Sequence, residues 1–97
     1  MRTITKKIAE AFKAGKPLDI NNTSTDGRNV YLFGNHLARR SEQGAIEMTL
    51  AGWNTVTTRD RLNGLLRVLE LDGYFSTRKG TPVFRDTEID SRVWIAI

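Results

Sequence analysis

Cysteine is absent from this 97-residue chain. Disulfide staples, thiolate nucleophiles and cysteine-ligated zinc are therefore excluded, and a reducing compartment is the natural setting. Histidine occurs once, as His36. Next to Asn35 at a turn, it is expected as a surface or turn-capping residue rather than a general base. The longest apolar run, Val93–Ile97, has five residues, against roughly 20 for a helix that crosses a bilayer. Lys6 and Lys7 could open a signal peptide, but Glu10 and Lys13 interrupt the apolar stretch it would need. A cytoplasmic chain with no membrane partner is expected. Phosphate loops of the P-loop or dinucleotide type are missing, so no cofactor is expected. Asp86-x-Glu88-x-Asp90 has Ser91 and Ile97 where a calcium loop places Gly and Glu. No nucleophile, base and orienting acid stand in a familiar spacing. The expectation is a protein that is not an enzyme.

What is present suits one domain over residues 1–97. Hydrophobic residues make up 39% and charged residues 27%, which excludes wholesale disorder. A core this small gains from association, so a homo-oligomer is a reasonable expectation. Fifteen basic against eleven acidic residues give a net charge of +4. That balance favours an anionic partner.

Periodicity divides the chain. Ile4, Ile8, Ala11 and Phe12 form one stripe of a helix over about Ile4–Ala14, with Thr3 as its cap and Gly15 and Pro17 as its stop. A period of two follows. Leu18–Ile20 with the turn at Asp26-Gly27, Arg28–Phe33, His36–Arg40 and Ala45–Leu50 read as a four-strand antiparallel meander. Ile46, Met48 and Leu50 should face inward, with Glu47 and Thr49 outward. A second helix starts near Thr57 or Thr58, where Thr57-x-x-Asp60 approximates a capping box, and carries Leu62, Leu65, Leu66 and Leu69 on one face. Tyr74–Lys79 and Thr81–Asp86 form a hairpin around Lys79-Gly80, with Pro82 marking an edge strand. The acidic turn Asp86–Ser91 leads to a last strand, Arg92–Ile97. The order α-β-β-β-β-α-β-β-β predicts an α+β fold, an antiparallel sheet packed with two helices.

Cations cluster with aromatic rings. Arg28–Arg40 contains three arginines and no acid. The candidate nucleic-acid-binding residues are Lys6, Lys7, Tyr31, Arg39, Arg40, Trp53, Arg59, Arg61, Tyr74, Arg78 and Lys79. Cationic grooves edged by stacking rings hold single strands without reading sequence. Arg59 and Arg61 sit at a helix start, where free N–H groups and the dipole already favour anions. Two residues apart on a helix, they diverge by about 200°, so one of them is free to pair with Asp60 or a neighbouring acid instead of a ligand. Phe33, Trp53 and Phe75 are each expected in the core more often than on the surface. A helix over Thr58–Leu71 followed by a hairpin resembles the end of a winged helix, but strands stand where that fold needs its earlier helices.

Four strings carry a likeness: A-F-x-x-G-K at Ala11–Lys16, N-T-x-T-D-G at Asn22–Gly27, G-N-x-L-A at Gly34–Ala38, and A-G-W-N-T-x-T-T-x-x-R-L-N-x-L at Ala51–Leu65. Through them the chain resembles a family of small bacteriophage proteins of largely unassigned function, over about residues 8–66, and the likeness fades beyond Leu66. The resemblance implies a phage origin and an α+β domain, and it brings no catalytic residues. In size and charge the chain is also similar to the single-stranded-DNA-binding transcription cofactors of phages. Two functions follow as expectations. The first is a binder of single-stranded DNA, or of RNA, acting in phage transcription or replication. The second is a module that docks on a phage or host enzyme such as RNA polymerase.

Overall fold

In the computed structural model, which describes residues 2–97, two helices and nine short strands alternate in blocks. Helix α1 spans Thr3–Lys13. Strands β1 (Leu18–Ile20), β2 (Thr23–Thr25), β3 (Asn29–Leu32), β4 (Asn35–Arg40) and β5 (Ile46–Met48) follow, then helix α2 (Val56–Val68). The chain ends in β6 (Phe75–Arg78), β7 (Thr81–Phe84), β8 (Thr87–Glu88) and β9 (Ile95–Ala96). The fold is α+β as expected, with two antiparallel sheets rather than one. Six strands run in the order β1-β2-β3-β4-β5-β9, and β6-β7-β8 form a separate sheet.

Local physics moves several boundaries. The chain turns at Ile20–Thr23, with Asn21 at a φ of +52°. That turn splits the expected first strand into the β1–β2 hairpin, so the meander has five strands. The α2 cap is Thr55, whose Oγ1 accepts the Thr58 N–H at 3.2 Å; the Thr57-x-x-Asp60 box is not used. Helix α1 begins at Thr3 itself, behind Arg2, with no side-chain cap. Thr49, expected outward, is buried, and its Oγ1 accepts the Ala51 N–H as the chain leaves β5. Pro82 sits in the middle strand of the small sheet, not at an edge. It is tolerated because only its carbonyl is called on there, accepting the Ile89 N–H at 3.0 Å.

Both helices pack on one face of the large sheet. Ile8, Ala9 and Phe12 from α1 and Leu62, Leu65 and Leu66 from α2 meet Val30, Leu32, Leu37, Ala38 and Met48 from the strands in one core. Each Leu, Ile, Val, Phe or Met side chain among them contributes on the order of 1.5–3 kcal/mol when removed from water. Within this core lies a guanidinium. Arg61 is only 3% exposed. Its Nε donates to Thr23 Oγ1 at 2.9 Å, and one terminal nitrogen donates to Thr5 Oγ1 at 2.8 Å and Asp60 Oδ2 at 2.9 Å. Thr5 in turn donates to the same Asp60 carboxylate. One side chain thus ties α1, α2 and β2 together. Burial lowers its pKa, which Asp60 opposes.

A second arginine closes the far end of α1. Arg40 lies over the Phe12 ring at 4.1 Å and donates to the Phe12 and Gly27 carbonyls at 2.9 and 2.6 Å. The Gly27 turn packs so closely on the end of α1 that a Cβ there would fall 2.5 Å from the Gly15 carbonyl oxygen.

Replacing Arg61 leaves Asp60, Thr5 and Thr23 without their shared donor. Arg61→Ala should cost about 3 kcal/mol in urea unfolding, the range for breaking a buried charged pair from one side. Arg39→Ala, which removes a half-exposed pair with Glu47, should cost less than about 1 kcal/mol. Equal losses at the two positions would contradict this division.

Candidate nucleic-acid interface

The outer stripe of α2 faces the β6–β7 hairpin across a groove of about 730 Å³. Arg59, Asn63 and Arg67, spaced at i, i+4 and i+8, run along its helical wall, and Tyr74, Ser76 and Thr77 along the other. Asn63 fixes the width. Its side chain accepts the Phe75 N–H at 2.7 Å and donates to the Phe75 carbonyl at 2.9 Å. It substitutes for a neighbouring strand along the edge of β6.

Tyr74 is aimed outward by its neighbour. Gly73 has a φ of +117°, and a Cβ on it would meet the Phe84 ring at 2.5 Å. Only glycine lets the chain pass there, after which Phe75 turns inward onto Phe84 and Tyr74 remains 66% exposed. At the N-terminal end of the groove, Arg59 donates to the Asn54 side-chain and main-chain oxygens at 2.7 and 3.1 Å. Asn54 donates onward to Thr77 Oγ1 and the Gly80 carbonyl at 3.2 and 3.4 Å. This relay holds the hairpin tip, with exposed Arg78 and Lys79, beside the start of α2. The one carboxylate lining the groove, Asp60, is already occupied by Arg61 and Thr5. The groove is therefore cationic.

The other face of the six-stranded sheet carries no helix. Asp19, Ser24, Tyr31 and His36 stand opposite one another on four successive strands and form one cross-strand row. Asn29, Arg39, Glu47 and Ala96 form the next row. A bulge makes this possible. Val30 pairs with Ala38 and Tyr31 with His36, leaving Leu37 as an extra residue in β4. Leu37 and Ala38 are both buried, so His36 and Arg39, three apart, share the open face that strict alternation would deny them.

His36 stacks on Tyr31 with ring centres 4.9 Å apart and meets Trp94 edge-on at 4.9 Å. Arg39 covers Trp94 at 3.9 Å while pairing with Glu47 at 2.9 Å. Asp26 holds the Asn29 amide nitrogen at 3.0 Å, which turns Asn29 Oδ1 toward His36 Nε2 at 2.8 Å. The imidazole Nε2 accordingly carries the proton and donates it. Burial, with some help from the Arg39 charge, pushes the His36 pKa below its ordinary value.

The eleven expected residues thus divide. Arg59 and Tyr74 line the groove, and Arg78 and Lys79 stand on the hairpin tip held at its end; Tyr31 and Arg39 come together on the open sheet face. Arg61 and Arg40 serve the interior, and the Asp60 pairing foreseen for one of the α2 arginines is Arg61's. Lys6 and Lys7 are exposed on α1 and line neither surface. Trp53 is exposed in the loop before α2, away from the core expected for it, as is Phe33 at the β3–β4 turn; Phe75 is in the core. Three residues escaped sequence reasoning. Arg67 was legible as the third member of the i, i+4, i+8 stripe. Trp94 alternates with Ile95 and was legible by period two. His36 was not, because its place depends on the bulge.

The Kyanoviridae Gp96 protein family model matches residues 1–96. The chain belongs to this phage protein family. The match runs on past Leu66, through α2 and the C-terminal strands, where the resemblance read from the motifs fades. No curated protein and no solved structure matches the chain.

The His36 environment predicts a pH dependence. The unfolded chain binds a proton near the ordinary value of 6.5, and the folded chain only below it. Stability should therefore fall as pH drops below about 6.5 and level off under the folded pKa. Asp26, whose backbone and Asn29 hydrogen bonds hold its carboxyl below 3.8, contributes only in a more acidic window. Melting temperature measured between about pH 7.5 and 5 should fall, and His36→Asn should flatten the slope. A wild-type curve flat over that range would contradict the assignment.

Proposed function

We propose that this phage protein binds single-stranded nucleic acid, DNA foremost, along the groove between α2 and β6, as an accessory in phage transcription or replication. The carrying observation is that Arg59 and Arg67 line the groove with the exposed Tyr74, that the hairpin tip bearing Arg78 and Lys79 is held at its Arg59 end, and that Asp60, the carboxylate in its lining, is paired with Arg61. Guanidinium and ammonium groups neutralise phosphates, and an exposed ring accepts a base on its face. No base-specific contact set is needed, which suits a sequence-tolerant binder.

Duplex reading is disfavoured by the same geometry. A recognition helix must enter the major groove with its polar face free. The polar stripe of α2 instead faces the hairpin, and its central Asn63 is committed to the Phe75 backbone. One observation favours a second reading. Trp53 and Val56, 56% and 65% exposed, offer apolar surface of the kind that docks on another protein. An enzyme such as RNA polymerase would be its partner, and retention of that partner on the immobilised protein after nuclease treatment would support it.

Fluorescence anisotropy with labelled single- and double-stranded oligonucleotides tests the first reading. Four phosphate contacts predict a slope of about −3 in log affinity against log salt for the single strand. The double variant Arg78→Ala/Lys79→Ala should weaken binding and reduce the slope to about half. Tighter binding to duplex, or an unchanged slope in the variant, would contradict the groove assignment.

A further inference from the structure

We infer that the open face of the six-stranded sheet is a second base-binding surface, on which unpaired nucleobases stack against the row formed by Tyr31, His36 and Trp94. The inference rests on the single-strand reading above and adds a separate place for the bases.

Three observations carry it. First, Tyr31 and His36 are in register across β3 and β4, at the level where the bulge in β4 brings His36 out, and Trp94, just before β9, meets the His36 ring edge-on. Each keeps part of its surface in water, and neither helix covers this face. A sheet with aromatic residues on its open face presents π-surface to bases, the means by which sheet-based RNA binders hold unstacked bases. Second, the row is held rigid before any ligand arrives. Asp26 fixes Asn29, Asn29 fixes His36, and Arg39 braced by Glu47 fixes Trp94. Little side-chain freedom is left to lose on binding. Third, the charge around the rings suits bases rather than a phosphate track. Arg39 is neutralised by Glu47, so stacking and hydrogen bonding to base edges dominate there. Ser24 and Asp19, on the row that holds Tyr31 and His36, and Asn29, on the next row, supply polar groups for those edges. The cationic groove and the ring face thus divide the work: phosphates at one, bases at the other.

The chain has two tryptophans, Trp53 and Trp94. Trp53→Phe therefore leaves Trp94 as the sole indole emitter. The full-length Trp53→Phe protein is titrated with a labelled oligothymidylate, reading anisotropy of the label and Trp94 emission together. The expected result is quenching of Trp94 that saturates in step with the anisotropy. Tyr31→Ala should weaken binding roughly tenfold, the loss of one stacked base, with the salt slope unchanged. Tyr31→Phe, which keeps the ring, should bind as wild type. Anisotropy that reports binding while Trp94 emission stays constant and Tyr31→Ala binds normally would overturn the inference and leave the groove reading standing. Absence of any oligonucleotide binding at low salt by protein shown to be folded would overturn both.

Discussion

Arg61 is the point on which the architecture turns. A charged guanidinium inside a small core is expensive unless every donor finds an acceptor. Here the acceptors come from Thr5 on α1, Asp60 on α2 and Thr23 on β2, so the group is satisfied only when all three elements are in place. That requirement fixes both helices on one side of the large sheet. It also occupies the Asp60 carboxylate that lines the groove α2 forms with β6. One buried interaction thereby ties α1, α2 and β2 together and pairs the carboxylate in the groove lining.

The second constraint is the bulge at Leu37. In a regular strand His36 and Arg39 would point to opposite faces. The extra residue lets Leu37 and Ala38 both enter the core, with the Leu37 carbonyl still satisfied by the Thr49 N–H at 2.9 Å. It places the imidazole between Tyr31 and Trp94 and the Arg39 guanidinium over Trp94. Arg39 and Arg40, adjacent in sequence, then do different jobs. The first braces a surface ring, and the second caps the end of α1 against Phe12.

Much of this was legible in the residues. Apolar spacing located both helices, alternation and turn residues located most of the meander, and Lys79-Gly80 located the hairpin. Of the residues chosen for charge and ring character, Arg59 and Tyr74 line one groove, and Arg78 and Lys79 stand on the hairpin tip at its end. Other features depend on tertiary contacts that no local pattern encodes. Thr55 displaced Thr57 as the cap because the loop from β5 enters α2 two residues earlier than the capping-box pattern indicates. Pro82 occupies a middle strand because the third strand beside it is only two residues long and asks for its carbonyl alone. Arg61 looked like a partner for phosphate, and it is a partner for Asp60. Trp53 and Phe33, apolar by composition, stay at the surface because they fall in turns whose backbones lead away from the core.

Membership in a phage protein family sets the biological frame, and the groove between α2 and β6 is the proposed binding surface. Backbone amide shifts followed by NMR, as unlabelled single-stranded oligonucleotide is added to the isotopically labelled protein, test the central claim most directly. The account predicts that the largest changes lie along Arg59–Arg67 and from Tyr74 to Gly80. Changes confined to the outer side of α1, or none at saturating oligonucleotide, would contradict it.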